Sequence, residues 1–333
     1  MGNRLDSLIF RPPNPPSYSR NDPHLHLIPT PDGNTIASYF VKHKYAKFTI
    51  IFSHANAEDI GNVFGNLIKR ITKWNCNLFI YDYPGNSPFS NIVTFIELNL
   101  MLGYGLSGGV CSEQNMYNSA DLSYNYLINF LNVNSKNIIA YGRSLGCSCA
   151  IYLGVKYNLL GVILQSPFLS IYRIKLPCFL PFDRFNNYDK VKDLNCPALV
   201  IHGDSDDIIP VQHSIQLITR IPEVYYYFVK RGNHNNLDYC FTGVMDSCIN
   251  EFIHYLLSKY LSETQDGIIF ENEPEDKYYG DNLLKQMENT QMEQLLSHKV
   301  NVNFYTRGAT DINGIEYPER DPARLKFSNC FKF

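Results

Sequence analysis

Residues 137–149 read Asn-Ile-Ile-Ala-Tyr-Gly-Arg-Ser-Leu-Gly-Cys-Ser-Cys. A short apolar run, Ile138 to Tyr141, ends in Gly142-Arg143-Ser144-Leu145-Gly146 and passes into small residues suited to opening a helix. Where a strand turns sharply into a helix, the serine of a Gly-x-Ser-x-Gly pentapeptide is thrust out of the backbone. The flanking glycines leave room where a Cβ would collide with neighbouring elements. The pentapeptide alone also fills ordinary loops, so its weight comes from the strand before it and the helix after it. Ser144 is the candidate nucleophile.

Outward from this turn, TIASYFV at 35–41 alternates like an edge strand, and KFTIIFS at 47–53 is continuously apolar like a buried one. Further short apolar bursts fall at 78–83, 160–165, 197–202 and 224–229. Between them lie apolar residues at helical spacing: Val63, Leu67, Ile68 and Ile71, then Leu122, Tyr126, Leu127 and Phe130, then Ile215, Leu217 and Ile218. A last helix is expected over about 244–260, with Cys248, Phe252, Ile253, Leu256 and Leu257 on one side. Repeated alternation of strand and helix predicts an α/β class, with a mostly parallel central sheet and helices on both faces.

A serine hydroxyl is a weak nucleophile at neutral pH. It needs a base, and the base needs an orienting carboxylate. Both are present after strands, where open parallel sheets place their sites. The run PALVIH is followed by Gly203-Asp204-Ser205-Asp206-Asp207, and VYYYFV by Arg231-Gly232-Asn233-His234. Ser144, Asp206 and His234 therefore appear in the chain order of an α/β-hydrolase triad. The plainer reading makes the aspartates helix caps and His234 a loop residue; three roles in order after three strands argue against it. An oxyanion site requires two backbone donors. The Leu145 N–H is one candidate, and Asn56, in the loop after TIIFS, is the other, with Ala57 next. His54 and His202, at strand ends, read as packed structural residues. His24, His26, His43, His213, His254 and His298 read as surface or core residues without partners.

Composition narrows the function classes. The chain has 333 residues, 45% of them hydrophobic, enough for a full core. Twenty-nine basic against thirty-two acidic residues, a formal charge of -3, is too even for a grip on a polyphosphate, so nucleic acid is not an expected partner. Nine cysteines without CxxC or Cys/His ligand spacing suggest neither a disulfide framework nor a metal site, and the chemistry above requires no cofactor. A reducing, cytoplasmic location with peripheral membrane contact is expected. No secretory signal is recognised, and no stretch reaches the roughly 18 apolar residues of a spanning helix. Three segments are expected: a proline-rich leading segment at 1–34, a hydrolase domain at 35–261, and an acidic tail at 262–333 holding a short amphipathic helix near 281–298.

Block by block, FSHANAEDIG, YDYPG, GYGLSGG, SEQNMY, YGRSLG, VILQSPFLS, FDRFNNYDKV, PALVIHGDSDDIIP and GNHNNLDY resemble the α/β-hydrolase-fold depalmitoylases of the ABHD17 group and their Bem46 relatives. The similarity runs from about Leu8 to Tyr260. It implies an α/β-hydrolase fold with a small lid, and places nucleophile, acid and base on Ser144, Asp206 and His234. The implied reaction is hydrolysis of a thioester between a fatty acyl chain and a protein cysteine. The substrate would be an S-acylated protein or a lipid ester; a general carboxylesterase or lysophospholipase-like hydrolase and a non-catalytic scaffold remain alternatives. Acyl-pocket candidates are Phe168, Leu169, Ile171 and Phe179, in a segment that leaves the sheet near the site. Two features depart from the family pattern. No cysteine precedes Cys76, and Asp6 stands where a myristoylation pattern wants Ser or Thr after Gly2. Residues 86–103 also separate YDYPG from YGLSGG, either as an insertion or as a translated intron.

Overall fold

Alternation in the central strands decides how the sheet is buried. In β3 (Phe48–Ser53), Ile51 joins one apolar core while Ile50 and Phe52 join the other; in β4 (Cys76–Tyr81), Phe79 and Tyr81 take the first side and Leu78 and Ile80 the second. Side chains of period two that are apolar on both faces require cover on both faces, and helices supply it. The computed structural model describes residues 9–84, 104–176 and 183–263, with side chains to residue 260. The insertion at 86–103, Phe179 and the tail with its expected helix near 281–298 lie outside the described residues.

The remaining strands are β1 (Leu25–Pro29), β2 (Thr35–Val41), β5 (Ile138–Arg143), β6 (Gly161–Gln165), β7 (Ala198–Gly203) and β8 (Val224–Val229). They form one sheet in the order β1-β2-β4-β3-β5-β6-β7-β8. Pairing is antiparallel from β1 through β2 to β4 and parallel from β4 onward. This is the α/β-hydrolase arrangement, and it aligns the carboxyl ends of β3, β5, β7 and β8 along one rim.

Helix α1 (Ile60–Trp74) starts at Asp59, whose carboxylate accepts the Asn62 N–H while the Asn62 side chain accepts the Asp59 N–H. This reciprocal cap satisfies two orphan donors. Val63, Leu67, Ile68 and Ile71 face the sheet, as their spacing predicts. On the same side lies α7 (Thr242–Glu263), burying Cys248, Phe252, Ile253 and Leu256. The other face is covered by α2 (Glu113–Asn129) and α3 (Cys147–Lys156). Two short helices follow in chain order before β8: α4 (Asn187–Lys190) and α5 (Gln212–Ile218). The turn α6 (Leu237–Cys240) precedes α7.

Two expectations are corrected. The strand at 35–41 is not an edge: β1, inside the proline-rich segment, pairs alongside it with Leu27 opposite Ala37. The second predicted helix begins earlier, and its buried stripe runs through Met116, Tyr117, Ala120, Tyr124 and Leu127, leaving Phe130 exposed at the C-cap. Ser112 caps that start, its side chain accepting the Asn115 N–H.

Candidate active site

The turn after β5 adopts the strained geometry its sequence suggests. Ser144 sits at φ 52°, in the left-handed region that a non-glycine residue avoids unless its surroundings impose it. The surroundings do so here. A Cβ on Gly146 would lie 2.0 Å from the Ser53 carbonyl oxygen at the end of β3, and one on Gly142 would meet the backbone of Gly146 and Cys147. Only glycine at both places lets the turn pass between β3 and α3.

Ser144, Asp206 and His234 converge there. His234 Nε2 lies 3.0 Å from Ser144 Oγ, and His234 Nδ1 lies 2.8 Å from Asp206 Oδ2. Because Nδ1 faces a carboxylate, it carries the ring proton and donates it, which leaves Nε2 as the acceptor for the serine hydroxyl. All three side chains are buried. The other carboxylate oxygen of Asp206 accepts the N–H groups of Ile208 and Ile209 at 3.0 and 2.8 Å. Burial opposes the charge on Asp206, but hydrogen bonds from His202 and His234 outweigh it and hold this carboxyl well below the usual carboxylate range. The neighbouring aspartates do other things. Asp204 accepts the Arg231 N–H and ties the β7 and β8 loops together, and Asp207 is exposed.

The candidate oxyanion donors flank the serine. Leu145 is the second residue of a single 3-10 turn, Ser144–Gly146, so its N–H has no acceptor within that turn. Across the cleft, the Ala57 N–H is engaged by Asn56 Oδ1 at 3.1 Å, while the Asn56 N–H has no acceptor among the described residues. The Asn56 side chain points the other way, donating to the Ile9 carbonyl at 2.6 Å and accepting the Arg11 N–H at 2.9 Å. Asn56 thus lines the cleft while its amide ties together the leading segment, Ala57 and Tyr104.

His54 is buried, with Nδ1 2.8 Å from the Ala55 carbonyl and Nε2 3.2 Å from Asp82. His202 lies 3.2 Å from Asp206 and 2.6 Å from Ser214 Oγ. The expectation of partnerless remaining histidines is corrected: His24 lies 3.2 Å from Asp22, the His43 ring meets that of Tyr45 at 6.0 Å, and His213 Nδ1 accepts the Leu169 N–H at 3.1 Å. Cys147 is no rival nucleophile, since it is fully buried with its Sγ–H directed at the Gly142 and Gln165 carbonyls, and burial pushes its thiol well above the usual value. Among the described residues no group of three His, Cys, Asp or Glu side chains is placed to hold a metal ion.

Beside Ser144 a cavity of about 330 Å³ is lined by the apolar residues Leu145, Phe168, Ile171, Ile174, Ile208 and Ile209 together with the polar residues Asn56, Glu58, Arg143 and Asn235. Of the acyl-pocket candidates, Phe168 and Ile171 line this cavity. Leu169 does not: it packs into the sheet core, with its N–H donating to His213 Nδ1. Ile208 and Ile209, directly after the aspartate cluster, were not singled out by the sequence; their signal is an apolar pair in an otherwise polar loop. A mixed apolar and polar lining around a hydroxyl paired with an imidazole suits attack on a carbonyl that joins an apolar acyl group to a polar leaving group.

No family model matches the chain. It is 33% identical over 217 residues to human alpha/beta hydrolase domain-containing protein 17B, covering 63% of this chain and 68% of that protein. It is also 33% identical over 200 residues to the mouse alpha/beta hydrolase domain-containing protein 17C, covering 58% and 56%. Among solved structures, the Pyrococcus furiosus esterase Pf2001 superposes with a TM-score of 0.59 at 15% identity, covering 74% of this chain and 97% of the esterase. Est1E from Butyrivibrio proteoclasticus, solved with ferulic acid, gives 0.53 at 14% identity over 70% and 99%. At such identities the two esterases speak for the fold alone.

Proposed function

Since the chain belongs to the alpha/beta hydrolase domain-containing protein 17 family and is an α/β hydrolase, we propose that it is a serine hydrolase of acyl esters whose substrates are S-acylated proteins. The observation that carries this reading is the continuous relay from Asp206 through His234 to Ser144, with contacts of 2.8 and 3.0 Å.

In this reading His234 Nε2 takes the hydroxyl proton as Ser144 Oγ attacks the acyl carbonyl, and Asp206 holds the imidazole in the required tautomer and stabilises the imidazolium. The carbonyl oxygen becomes an oxyanion between the Leu145 and Asn56 N–H groups, preorganised donors that need no rearrangement as charge develops. Collapse expels the thiol, which receives its proton from His234. The acyl-enzyme is then hydrolysed by a water that His234 activates in the same way. Family membership supports a fatty acyl thioester as substrate, and so do the apolar side chains that line the cavity, which offer the acyl chain a surface beside the nucleophile.

A fluorophosphonate probe and paired substrates test this in sequence. The wild-type protein is expected to label and Ser144→Ala not to; absence of labelling, or equal labelling of both, refutes the serine mechanism. Palmitoyl-cysteine peptide is then expected to turn over faster than the matched palmitoyl-serine peptide, and a preference for the oxyester refutes the substrate.

A further inference from the structure

The four loops that carry the site are far apart in the chain, and the sheet fixes only the strand ends from which they spring. One side chain links three of them, those after β3, β5 and β8. Arg143, the residue before the nucleophile, donates from Nη1 to Glu58 in the loop after β3 and from Nη2 to the carbonyl oxygen of His234 itself at 3.3 Å. Its Nε faces Asp238 Oδ2 at 3.4 Å, four residues beyond the histidine. Each neighbour is anchored in turn. The second carboxylate oxygen of Glu58 accepts the Ala55 N–H at 3.0 Å, in the turn that presents the Asn56 N–H. Asp238 accepts from Arg70 of α1 at 3.1 Å and from Gln165 of β6 at 2.7 Å.

The guanidinium is largely buried, with 11% of its side chain exposed, and Glu58 and Asp238 are 22% and 17% exposed. A planar fork with fixed donor directions suits this task, since it binds a carboxylate on one edge while reaching a carbonyl on another; an ammonium cannot reproduce that geometry. Although the group borders the cleft, its Nη1 and Nη2 are hydrogen-bonded to protein atoms and its Nε is buried facing the Asp238 carboxylate.

The geometry points to Arg143, through Glu58, as a positioning residue that holds the Asn56 oxyanion donor and the His234 imidazole in register with Ser144. This role presupposes the serine-hydrolase reading above. Small errors in such register are costly, because a displacement of about 1 Å at a reacting group lowers turnover by about 10²-fold.

The test measures kcat and KM on p-nitrophenyl butyrate for wild type, Arg143→Gln, Glu58→Gln, the double variant and Arg143→Lys, each normalised to the fluorophosphonate-labelled fraction. Both single glutamine variants are expected to lose about tenfold or more in kcat with KM changed by less than about twofold. The double variant is expected to fall no further than the worse single one, because both break the same link. If Arg143→Gln does not fold, Arg143→Lys carries the test, with kcat lowered and KM kept. Unchanged kcat, a rise in KM alone, or losses that multiply in the double variant overturn the positioning role. A wild-type protein that does not label overturns the serine-hydrolase reading instead, so the two failures are distinguishable.

Discussion

Replacing Gly146 by alanine puts a methyl group 2.0 Å from the Ser53 carbonyl oxygen and 2.7 Å from that of His54. Real Cβ atoms do not approach closer than 3.0 Å. The obstructing atoms are backbone, in a strand whose Ser53 is paired in register with Gly142 of the same turn, so no side chain can swing aside. The turn and β3 must therefore part by about 1 Å, which costs about 1–3 kcal/mol as overpacking. For a domain of this size that lowers the melting temperature by about 5 °C. Displacing Ser144 by the same distance from His234 lowers turnover by about 10²-fold. Gly65 supplies the control: it is exposed in the middle of α1 and a Cβ there meets nothing within 4 Å. Gly65→Ala is expected to gain about 0.5–1 kcal/mol by restricting the unfolded chain and improving helix propensity. Thermal melts followed by circular dichroism and turnover of p-nitrophenyl butyrate measure both. A Gly146→Ala protein that melts and turns over like wild type would refute the tight-turn argument.

Two further outcomes follow from groups near the site. Burial first, and then the electrostatic influence of His202 and Arg173, lowers the His213 pKa from 6.5 to about 4. Between those values the unfolded chain binds the proton more readily than the folded one, so this contribution to stability is complete above 6.5 and is lost progressively as the pH falls to 4. His213→Asn, whose amide oxygen can still accept the Leu169 N–H, is expected to lose less stability than wild type across that window, as read by urea denaturation at stepped pH; parallel curves refute it. Deleting residues 86–103 is expected to leave melting temperature and turnover unchanged, because the flanking rings of Tyr83 and Tyr104 already meet at 5.2 Å and Cys111 Sγ–H donates to the Pro84 carbonyl; an unfolded or inactive product refutes it.

How far the sequence foretells this molecule depends on the range of the forces involved. Ser144, Asp206 and His234 are legible because each follows a strand, and strand, turn and helix are local patterns. Val63, Leu67, Ile68 and Ile71 are legible because one helix presents them to one sheet. Strand β1 is not, since Leu25-His26-Leu27-Ile28-Pro29 mixes a histidine and a proline into five residues, and Leu27 remains 41% exposed. The start of α2 is hidden for a similar reason: its buried stripe is carried by Tyr117, Ala120 and Tyr124 rather than by a run of aliphatic residues. Leu169 looks like a pocket residue beside Phe168, yet it packs into the core with its N–H on His213, 44 residues away. The partners of Arg143 lie 85 and 91 residues from it, and no spacing rule reaches that far.

The amide of Asn56 grips both Ile9 and Arg11, and Phe10 between them is buried with its ring 6.1 Å from that of Phe185. The first described residues are therefore fastened to the loop after β3, so the leading segment and the rim of the cleft have one residue, Asn56, in common.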